Sequence, residues 1–343
     1  MSHEREETRA VQTRVDHRMK LTLLSAADLR AALPMPAAIA AMKAAYAELS
    51  TGQANVPQRT ALPVPSVEGV TLFMPAYVPS SGLGAKIVSV FPRNAEQGRP
   101  IIHGVVIMLD ASSGEPVALC DGTFLTAWRT GAASGAATDL LARPDARTAA
   151  VIGAGVQART QAIAIDAART LDTLRVYSPY PEQVKQFIAE MQPQVGAALV
   201  AAQSSAEAVR DVDILCTATT STTPVFDGQL LKAGAHVNGI GSYTLQMQEV
   251  DAATVTRARL FVDSRTSALA EAGDLVIPMR AGQTRVEDWT ELGEVAAGLK
   301  PGRQSPDEIT FFKSVGVAVQ DVAAAGRALA EAKRLGLGKS VEF

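Results

Sequence analysis

Gly153, Gly155 and Ala158 are spaced as G-x-G-x-x-A directly after a short apolar run at 148–152. A helix-prone segment follows at 159–171. In a strand–turn–helix unit, the two glycines permit a tight turn and let the backbone approach a pyrophosphate, and a small third residue lets the helix pack on the strand. The helix N-terminus then offers unpaired N–H groups to phosphates. The segment therefore predicts a dinucleotide site, with a purely structural glycine turn as the alternative.

The residues within and beside this turn are predicted to bind the same dinucleotide. They include Ala154, Val156 and Gln157. The second strand, at 174–177, is followed by Ser178, where NAD-binding units carry an acidic residue that accepts hydrogen bonds from the ribose hydroxyls. Because a carboxylate would repel a 2′-phosphate and a serine can donate to it, the predicted cofactor is NADPH, and NADH remains an alternative. Ser178 could also simply cap the next helix.

A hydroxyl-rich loop follows a later strand at 213–217. Loops at the carboxyl ends of parallel strands face the ligand. Thr217, Ala218 and Thr219 are therefore predicted to line the ribose or the nicotinamide. A polar loop that is merely solvated by water is an equally open interpretation.

Three basic residues stand in otherwise apolar settings before the glycine turn: Arg59, Lys86 and Arg129. A lone cation in an apolar strand is costly to bury without an anionic partner. Two guanidiniums and an ammonium could converge on one small carboxylate, with arginine giving a bidentate grip. Each cation could instead pair with an acidic side chain or extend to solvent.

The composition excludes several classes of protein. The net charge of −3 gives no basic surface for nucleic acid and no polybasic membrane patch. Cys120 and Cys216 lie in apolar runs and suggest buried thiols, with no disulfide framework and no metal site. No apolar run approaches the ~20 residues that cross a bilayer, and residues 1–20 are polar, without the apolar core of a signal peptide. A cytoplasmic location and a disordered extension at 1–20 are expected.

From residue 148 onward, strand-like runs alternate with helical patterns, which indicates an α/β, Rossmann-type, doubly wound parallel sheet. The part before 148 has one or two helices at 25–49, five strand-like pieces between 60 and 121, and a helix at 126–141. The tail at 315–335 is an amphipathic helix, expected to pack back onto the N-terminal part. His236 lies in an apolar strand and is expected in the core, whereas His103 could line a pocket.

Taken together, these stretches resemble the ornithine cyclodeaminase/mu-crystallin family over nearly all of 21–335. The resemblance rests on six motifs: Gln58-Arg59-Thr60, Met74-Pro75-Ala76, Lys86-Ile-Val-Ser-Val-Phe-Pro92, Arg129-Thr130-Gly-Ala-Ala-Ser134, Val151-Ile-Gly-Ala-Gly-Val-Gln157 and Phe312-Lys-Ser-Val-Gly316.

The resemblance implies a homodimer in which an NAD(P)-binding Rossmann domain, 141–315, is inserted into an α+β substrate-binding and dimerisation domain, 21–140 plus 316–343. It also implies that Arg59, Lys86 and Arg129 bind the substrate carboxylate and its surroundings. Thr130 and Ser314, which lie within its motifs, are predicted to contact the cofactor.

One departure from the family narrows the activity. Cyclodeaminases carry an essential aspartate in a segment where this chain has Tyr243. A phenol, with a reference pKa of about 10, cannot serve as a carboxylate base near neutral pH. The chain therefore resembles the ketimine reductases of the family, which reduce Δ1-pyrroline-2-carboxylate or Δ1-piperideine-2-carboxylate to L-proline or L-pipecolate. Lys86, as a carboxylate contact and proton relay, and Tyr243, in shaping the pocket, are the candidate catalytic residues. The alternatives are an alanine-type dehydrogenase, an ornithine cyclodeaminase and a non-catalytic, crystallin-like binder of small molecules.

Overall fold

The computed structural model describes residues 19–342, so nearly all of the predicted extension at 1–20 lies outside the described residues. Within this range the strands form two sheets. The first has seven strands in the order β15-β1-β6-β5-β4-β3-β2. Its members are β1 (Lys20–Leu24), β2 (Thr60–Val64), β3 (Gly69–Val78), β4 (Gly82–Val90), β5 (Ile102–Leu109), β6 (Pro116–Asp121) and β15 (Lys339–Glu342).

The second sheet has eight strands in the order β13-β12-β14-β11-β10-β7-β8-β9. Every pairing in it is parallel, which confirms the predicted Rossmann-type fold. Its members are β7 (Thr148–Ile152), β8 (Thr173–Tyr177), β9 (Ala198–Ala201), β10 (Ile214–Thr217), β11 (His236–Gly239), β12 (Ala258–Val262), β13 (Thr290–Glu291) and β14 (Ile309–Lys313). The strand order reverses at β7, and ligands of open parallel sheets bind beside such a point.

The helices cover both sheets. They are α1 (Ala26–Ala32), α2 (Met35–Ser50), α3 (Gly122–Leu141), α4 (Val156–Ala168), α5 (Pro181–Met191), α6 (Ser205–Val209), α7 (Ala252–Arg257), α8 (Arg265–Glu271), α9 (Gly273–Arg280), α10 (Leu292–Ala296) and α11 (Ala318–Leu335). Pro34 divides the helical segment predicted at 25–49 into two helices. It cannot donate a backbone N–H, so it suits the start of the second helix but not the interior of a longer one.

The C-terminal helix returns to the first sheet, as predicted. One face of α11 packs on α2, β3 and β4, and its Val319, Val322 and Ala325 are fully buried. The helix α3 joins the two parts of the molecule, because it packs on α2 and also on α4. At Gly131 a Cβ would lie 2.5 Å from the carbonyl oxygen of Thr160, so only glycine permits this close approach of α3 to α4. These contacts fix the glycine turn relative to the first sheet.

Candidate active site

The turn between β7 and α4 has the geometry that a pyrophosphate requires. Gly153 has φ +115°, and a Cβ there would lie 2.5 Å from the carbonyl oxygen of Ala218. Gly155 precedes the first residue of α4, where no side chain caps the helix. A Cβ on Gly155 would meet nothing within 4 Å. Open space therefore lies beside an uncapped helix N-terminus, so this turn fits a dinucleotide.

An arginine that the sequence interpretation did not single out supports the same turn. The guanidinium of Arg159 donates to the carbonyl oxygen of Ala154 over 2.6 Å and to that of Gly155 over 3.2 Å. Its other nitrogens bind Glu190 of α5. Val156 is exposed, and the buried side-chain oxygen of Gln157 has no hydrogen-bond partner among the described residues. Arg159 thus holds the backbone of the turn in place, while the space beside Gly155 stays open.

Glu249, a fully buried carboxylate, joins the loops that follow β10 and β11. It accepts hydrogen bonds from the Thr217 hydroxyl and from the backbone N–H groups of Thr219, Gly241 and Ser242. Burial raises its pKa. Thr217 and Thr219 therefore face an internal carboxylate, an organising residue that sequence patterns missed because its partners come from two separate loops.

Three other predicted cofactor residues lie in well-defined positions. Ser178 directly follows β8 and is buried, and its oxygen accepts the backbone N–H of Tyr180 over 3.3 Å, which leaves its hydroxyl hydrogen free to donate. The Ser314 hydroxyl donates to Asp263, and the Thr130 hydroxyl donates to a carbonyl one turn earlier in α3.

Two of the three predicted cations share one internal carboxylate. The Lys86 ammonium lies 2.8 Å and 2.9 Å from the two oxygens of Asp321, and the Arg129 Nε lies 2.9 Å from one of them. Lys86 is 1% exposed and Arg129 is 5% exposed. Burial and the neighbouring Arg129 lower the pKa of Lys86 to about 7, although Asp321 opposes this. When Lys86 is protonated, two cations face one anion, so the cluster keeps one unneutralised positive charge.

The third cation is paired elsewhere. Arg59 forms a two-pronged ion pair with Glu271 of α8, and burial raises the pKa of that carboxyl although Arg59 opposes the rise. A cavity of about 260 Å³ is lined by Arg59, Glu271, Met74 and Gly316. Met74 pairs across the strands with Lys86, and a Cβ on Gly316 would lie 2.7 Å from the Arg129 guanidinium. The cavity thus lies beside the Lys86–Arg129 pair.

The remaining candidates differ in exposure. Tyr243 is 40% exposed in the loop after β11, and no described residue is hydrogen-bonded to its side chain. His236 is fully buried, its ring nitrogens face Thr310 and Asn238, and burial lowers its pKa to about 3, which confirms a core role. Cys120 and Cys216 are buried free thiols, as expected. Within residues 19–342 no helix is long and apolar enough to span a bilayer, and no cluster of three acidic, histidine or cysteine side chains is placed to hold a metal ion.

The combination of the glycine turn, the cation cluster and the returning α11 agrees with the family resemblance. The family model described as the ornithine cyclodeaminase/mu-crystallin family matches residues 19–333. The chain belongs to this family. Its members include a Δ1-pyrroline-2-carboxylate reductase of Bacillus cereus, 37% identical over 94% of this chain and 100% of its own length.

Two solved structures of family members have the same fold. The Δ1-pyrroline-2-carboxylate reductase of Thermococcus litoralis, in complex with NADH and L-proline, is 41% identical and superimposes with a TM-score of 0.89 over 93% of this chain and 100% of its own. An archaeal alanine dehydrogenase dimer with bound NAD is 31% identical, with a TM-score of 0.88 over 95% and 100%. The prediction of an oxidoreductase of this family is confirmed.

Proposed function

We propose that the protein reduces a small cyclic ketimine carboxylate with NADPH. The substrate is Δ1-pyrroline-2-carboxylate or Δ1-piperideine-2-carboxylate, and the product is L-proline or L-pipecolate. The observation that carries the proposal is the positive charge left over on Lys86 and Arg129 beside a cavity of about 260 Å³. A desolvated cation pair with one internal anion has a favourable place for one further carboxylate.

Different residues of the chain are proposed to bind the cofactor, to bind the substrate carboxylate and to deliver the proton. In the proposal the glycine turn and the loops at Thr217 and Ser314 bind the nicotinamide cofactor, which when bound supplies the hydride for the imine carbon. Arg129 and Lys86 hold the substrate carboxylate, and Arg59 borders the same cavity. Lys86, whose pKa of about 7 makes its ammonium a usable acid near neutral pH, delivers the proton to the imine nitrogen.

Apolar side chains on the cavity wall limit the access of water to the reacting atoms. Leu49, Val56, Met74 and Val317 supply its apolar part. A protonated imine is already a strong electrophile, so positioning and the exclusion of bulk water are the main demands on the protein. This limited demand agrees with Tyr243 standing where cyclodeaminases carry an aspartate. A relative that is 41% identical and is in complex with NADH and L-proline supports a nicotinamide cofactor and a substrate of the proline type.

Two further parts of the proposal concern domain roles and assembly. The unit 21–140 plus 316–343 is proposed to bind substrate and to form a homodimer, and 141–315 to bind the cofactor. Strand alternation leaves apolar side chains of the first sheet on the face away from α11, with Phe73, Ile87 and Val105 each 36–38% exposed. We propose this face as the dimer surface, as a dimer is described for the alanine dehydrogenase relative. Light scattering that gives the mass of a single chain would contradict it.

The activity is tested by following NADPH and NADH oxidation with each cyclic imine in turn. The proposal expects imine-dependent oxidation, faster with NADPH. The archaeal relative makes an alanine-type dehydrogenase the second candidate, so pyruvate with ammonia is the comparison substrate. Turnover of pyruvate with ammonia but of neither imine would replace the proposal with that candidate, and ammonia release from ornithine would identify a deaminase.

A further inference from the structure

Among residues 19–342, Asp321 is the one acidic residue that is hydrogen-bonded to both Lys86 and Arg129, the two buried cations of the candidate site. It is fully buried on the first turns of α11, and its partners Lys86 and Arg129 lie 235 and 192 residues away in the chain. One of its oxygens accepts from both cations over 2.9 Å. The two cations are therefore held at a fixed separation by a single carboxylate.

The position of Asp321 is itself fixed by its neighbour in sequence. The Gln320 side-chain oxygen accepts hydrogen bonds from Arg129 over 2.7 Å and from the backbone N–H of Val317 over 2.8 Å. Its nitrogen donates to the Tyr46 hydroxyl over 2.6 Å. The start of α11 is thus tied to α2 and to α3, which restrains the position of the Asp321 carboxylate.

The segment that leads into α11 is held from the second sheet. Asp263, which follows β12, accepts hydrogen bonds from the backbone N–H groups of Val315 and Gly316 over 2.9 Å and 2.8 Å and from the Ser314 hydroxyl. The chain therefore passes from β14 of the second sheet to Asp321 through a short connection that is held by Asp263. Two cations that repel each other at short range would otherwise separate or recruit a solvent anion.

We infer that Asp321 is a positioning residue of the reductase, which aligns the Lys86 ammonium and the Arg129 guanidinium on one side of the cavity so that both reach the substrate carboxylate. This inference rests on the proposed function. Asp321 uses its oxygens on the two cations and does not contact the substrate. It neutralises one of the two charges, so one substrate carboxylate completes the balance.

The arrangement has a consequence for pH. The charged groups that act on Lys86 are Arg129 from α3, Asp321 from α11 and Arg59 from the segment before β2. Of these, only Asp321 favours the protonated amine, whereas burial and both arginines oppose it. Removing the carboxylate should lower the pKa of Lys86 further. The fall of kcat/KM with rising pH, which follows loss of the Lys86 proton, should then begin at a lower pH.

The test compares Asp321→Asn, Asp321→Glu and the parent in imine reduction over a range of pH. The substrate's own titration is common to all three proteins and cancels in the comparison. We expect Asp321→Asn to lose about a hundredfold in kcat/KM for the imine, from the broken charge pairs, while its affinity for NADPH is kept. Its descending pH limb should move to lower pH, and Asp321→Glu should restore part of both properties.

A matched control exists elsewhere in the chain. Asp213 also joins one arginine and one lysine, Arg143 and Lys232, but it precedes β10 at the edge of the sheet opposite the cofactor loops. Asp213→Asn should lower thermal stability and leave the pH limb in place. If Asp321→Asn keeps parental efficiency and the parental pH limb, the inference is wrong. It is equally wrong if efficiency and NADPH affinity fall together with no shift of the limb, since that pattern marks general damage to the fold. A parent that reduces neither imine refutes the proposed function instead.

Discussion

Asp321 and Asp213 each hold one lysine and one arginine, but they do so in different surroundings. Around Asp321 the side chains of Lys86 and Arg129 are at most 6% exposed. Around Asp213 the side chains of Arg143 and Lys232 are 26% and 30% exposed. Asp213 also accepts the backbone N–H groups of Arg147 and Thr148. The same three charges therefore form a desolvated cluster in one place and a partly solvated one in the other.

Burial and hydrogen bonds change the pKa of a different group in each cluster. At Asp213, burial raises the carboxyl pKa, but hydrogen bonds from Lys232 and the backbone outweigh it and hold the pKa well below its usual value. In the Asp321 cluster it is the lysine whose pKa changes, since burial lowers the pKa of Lys86 to about 7. A cluster whose carboxylate is held ionised by hydrogen bonds stabilises the fold, whereas one that brings a lysine near neutrality can move a proton.

The largest expected effect separates the two arginines. Arg129→Met should cost about 2–5 kcal/mol in the kcat/KM for the cyclic imine, because a substrate carboxylate would lose a desolvated partner. NADPH affinity should be kept. Arg143→Met, measured in the same assay, should lower thermal stability but leave kcat/KM near the parental value. Near-parental efficiency of Arg129→Met would show that Arg129 does not hold the substrate.

The second prediction concerns stability at the solvated cluster. Asp213→Asn should lower the free energy of unfolding at neutral pH by about 1–3 kcal/mol, because the hydrogen-bonded charges lose their partner. A carboxyl whose pKa is depressed by folding stabilises the protein above its unfolded pKa of about 3.9 and loses this contribution as pH falls below it. The difference in unfolding free energy between parent and variant should therefore shrink below about pH 4. A difference that stays constant from pH 7 to pH 3 would contradict the assignment.

The third prediction concerns a negative charge introduced at Ser178, which lies outside both charge clusters. Ser178 is 7% exposed at the end of β8. In Ser178→Asp, a carboxylate opposite the 2′-phosphate should lower the ratio of kcat/KM for NADPH over NADH by about tenfold, or about 1.4 kcal/mol. Ser178→Ala is the control for loss of the hydroxyl alone. Equal use of both cofactors by the parent, with no change in Ser178→Asp, would remove Ser178 from the cofactor site.

The smallest effect is expected at the exposed candidate. Tyr243 is 40% exposed, in contrast to the buried Lys86, so its phenol is assigned to the shape of the pocket. Tyr243→Phe should keep kcat for imine reduction within about threefold of the parent, roughly 0.7 kcal/mol. Saturation kinetics of the variant with one cyclic imine would measure this. A drop of about a thousandfold in kcat with unchanged imine binding would make Tyr243 the proton donor in place of Lys86.

The regular elements were predictable because their signals are local. The apolar runs of β7, β8, β10 and β11 and the break at Pro34 can each be recognised from a few neighbouring residues. Two strands of the second sheet, β13 and β14, were not predicted. Thr290–Glu291 is too short to show a pattern, and Ile309–Lys313 carries a lysine that is tolerated because it pairs with buried Asp274.

The candidate site was predictable in its cations but not in its anions. Lys86 and Arg129 are conspicuous because each interrupts an apolar stretch. Asp321 and Glu249 are not, because acidic residues in a helix or a loop are ordinarily solvated. Their partners come from remote parts of the chain or from backbone N–H groups, which leave no trace in residue spacing. From the sequence, the three cations could either converge on a substrate carboxylate or each pair with an acidic side chain or extend to solvent. In the structure, each cation pairs with an acidic side chain.

Asp321 lies in α11, which follows strands β1 to β14 in the chain, and this order has a consequence for synthesis on the ribosome. Strands β1 to β14 are translated before α11, so both sheets can form most of their pairings while Lys86 and Arg129 still lack their counter-charge. The cluster of Lys86, Arg129 and Asp321 is complete only when α11 has emerged and packed on the first sheet. A prematurely terminated product that ends before Ala318 would contain all eight strands of the second sheet but would lack Asp321, so we expect such fragments to be inactive in imine reduction.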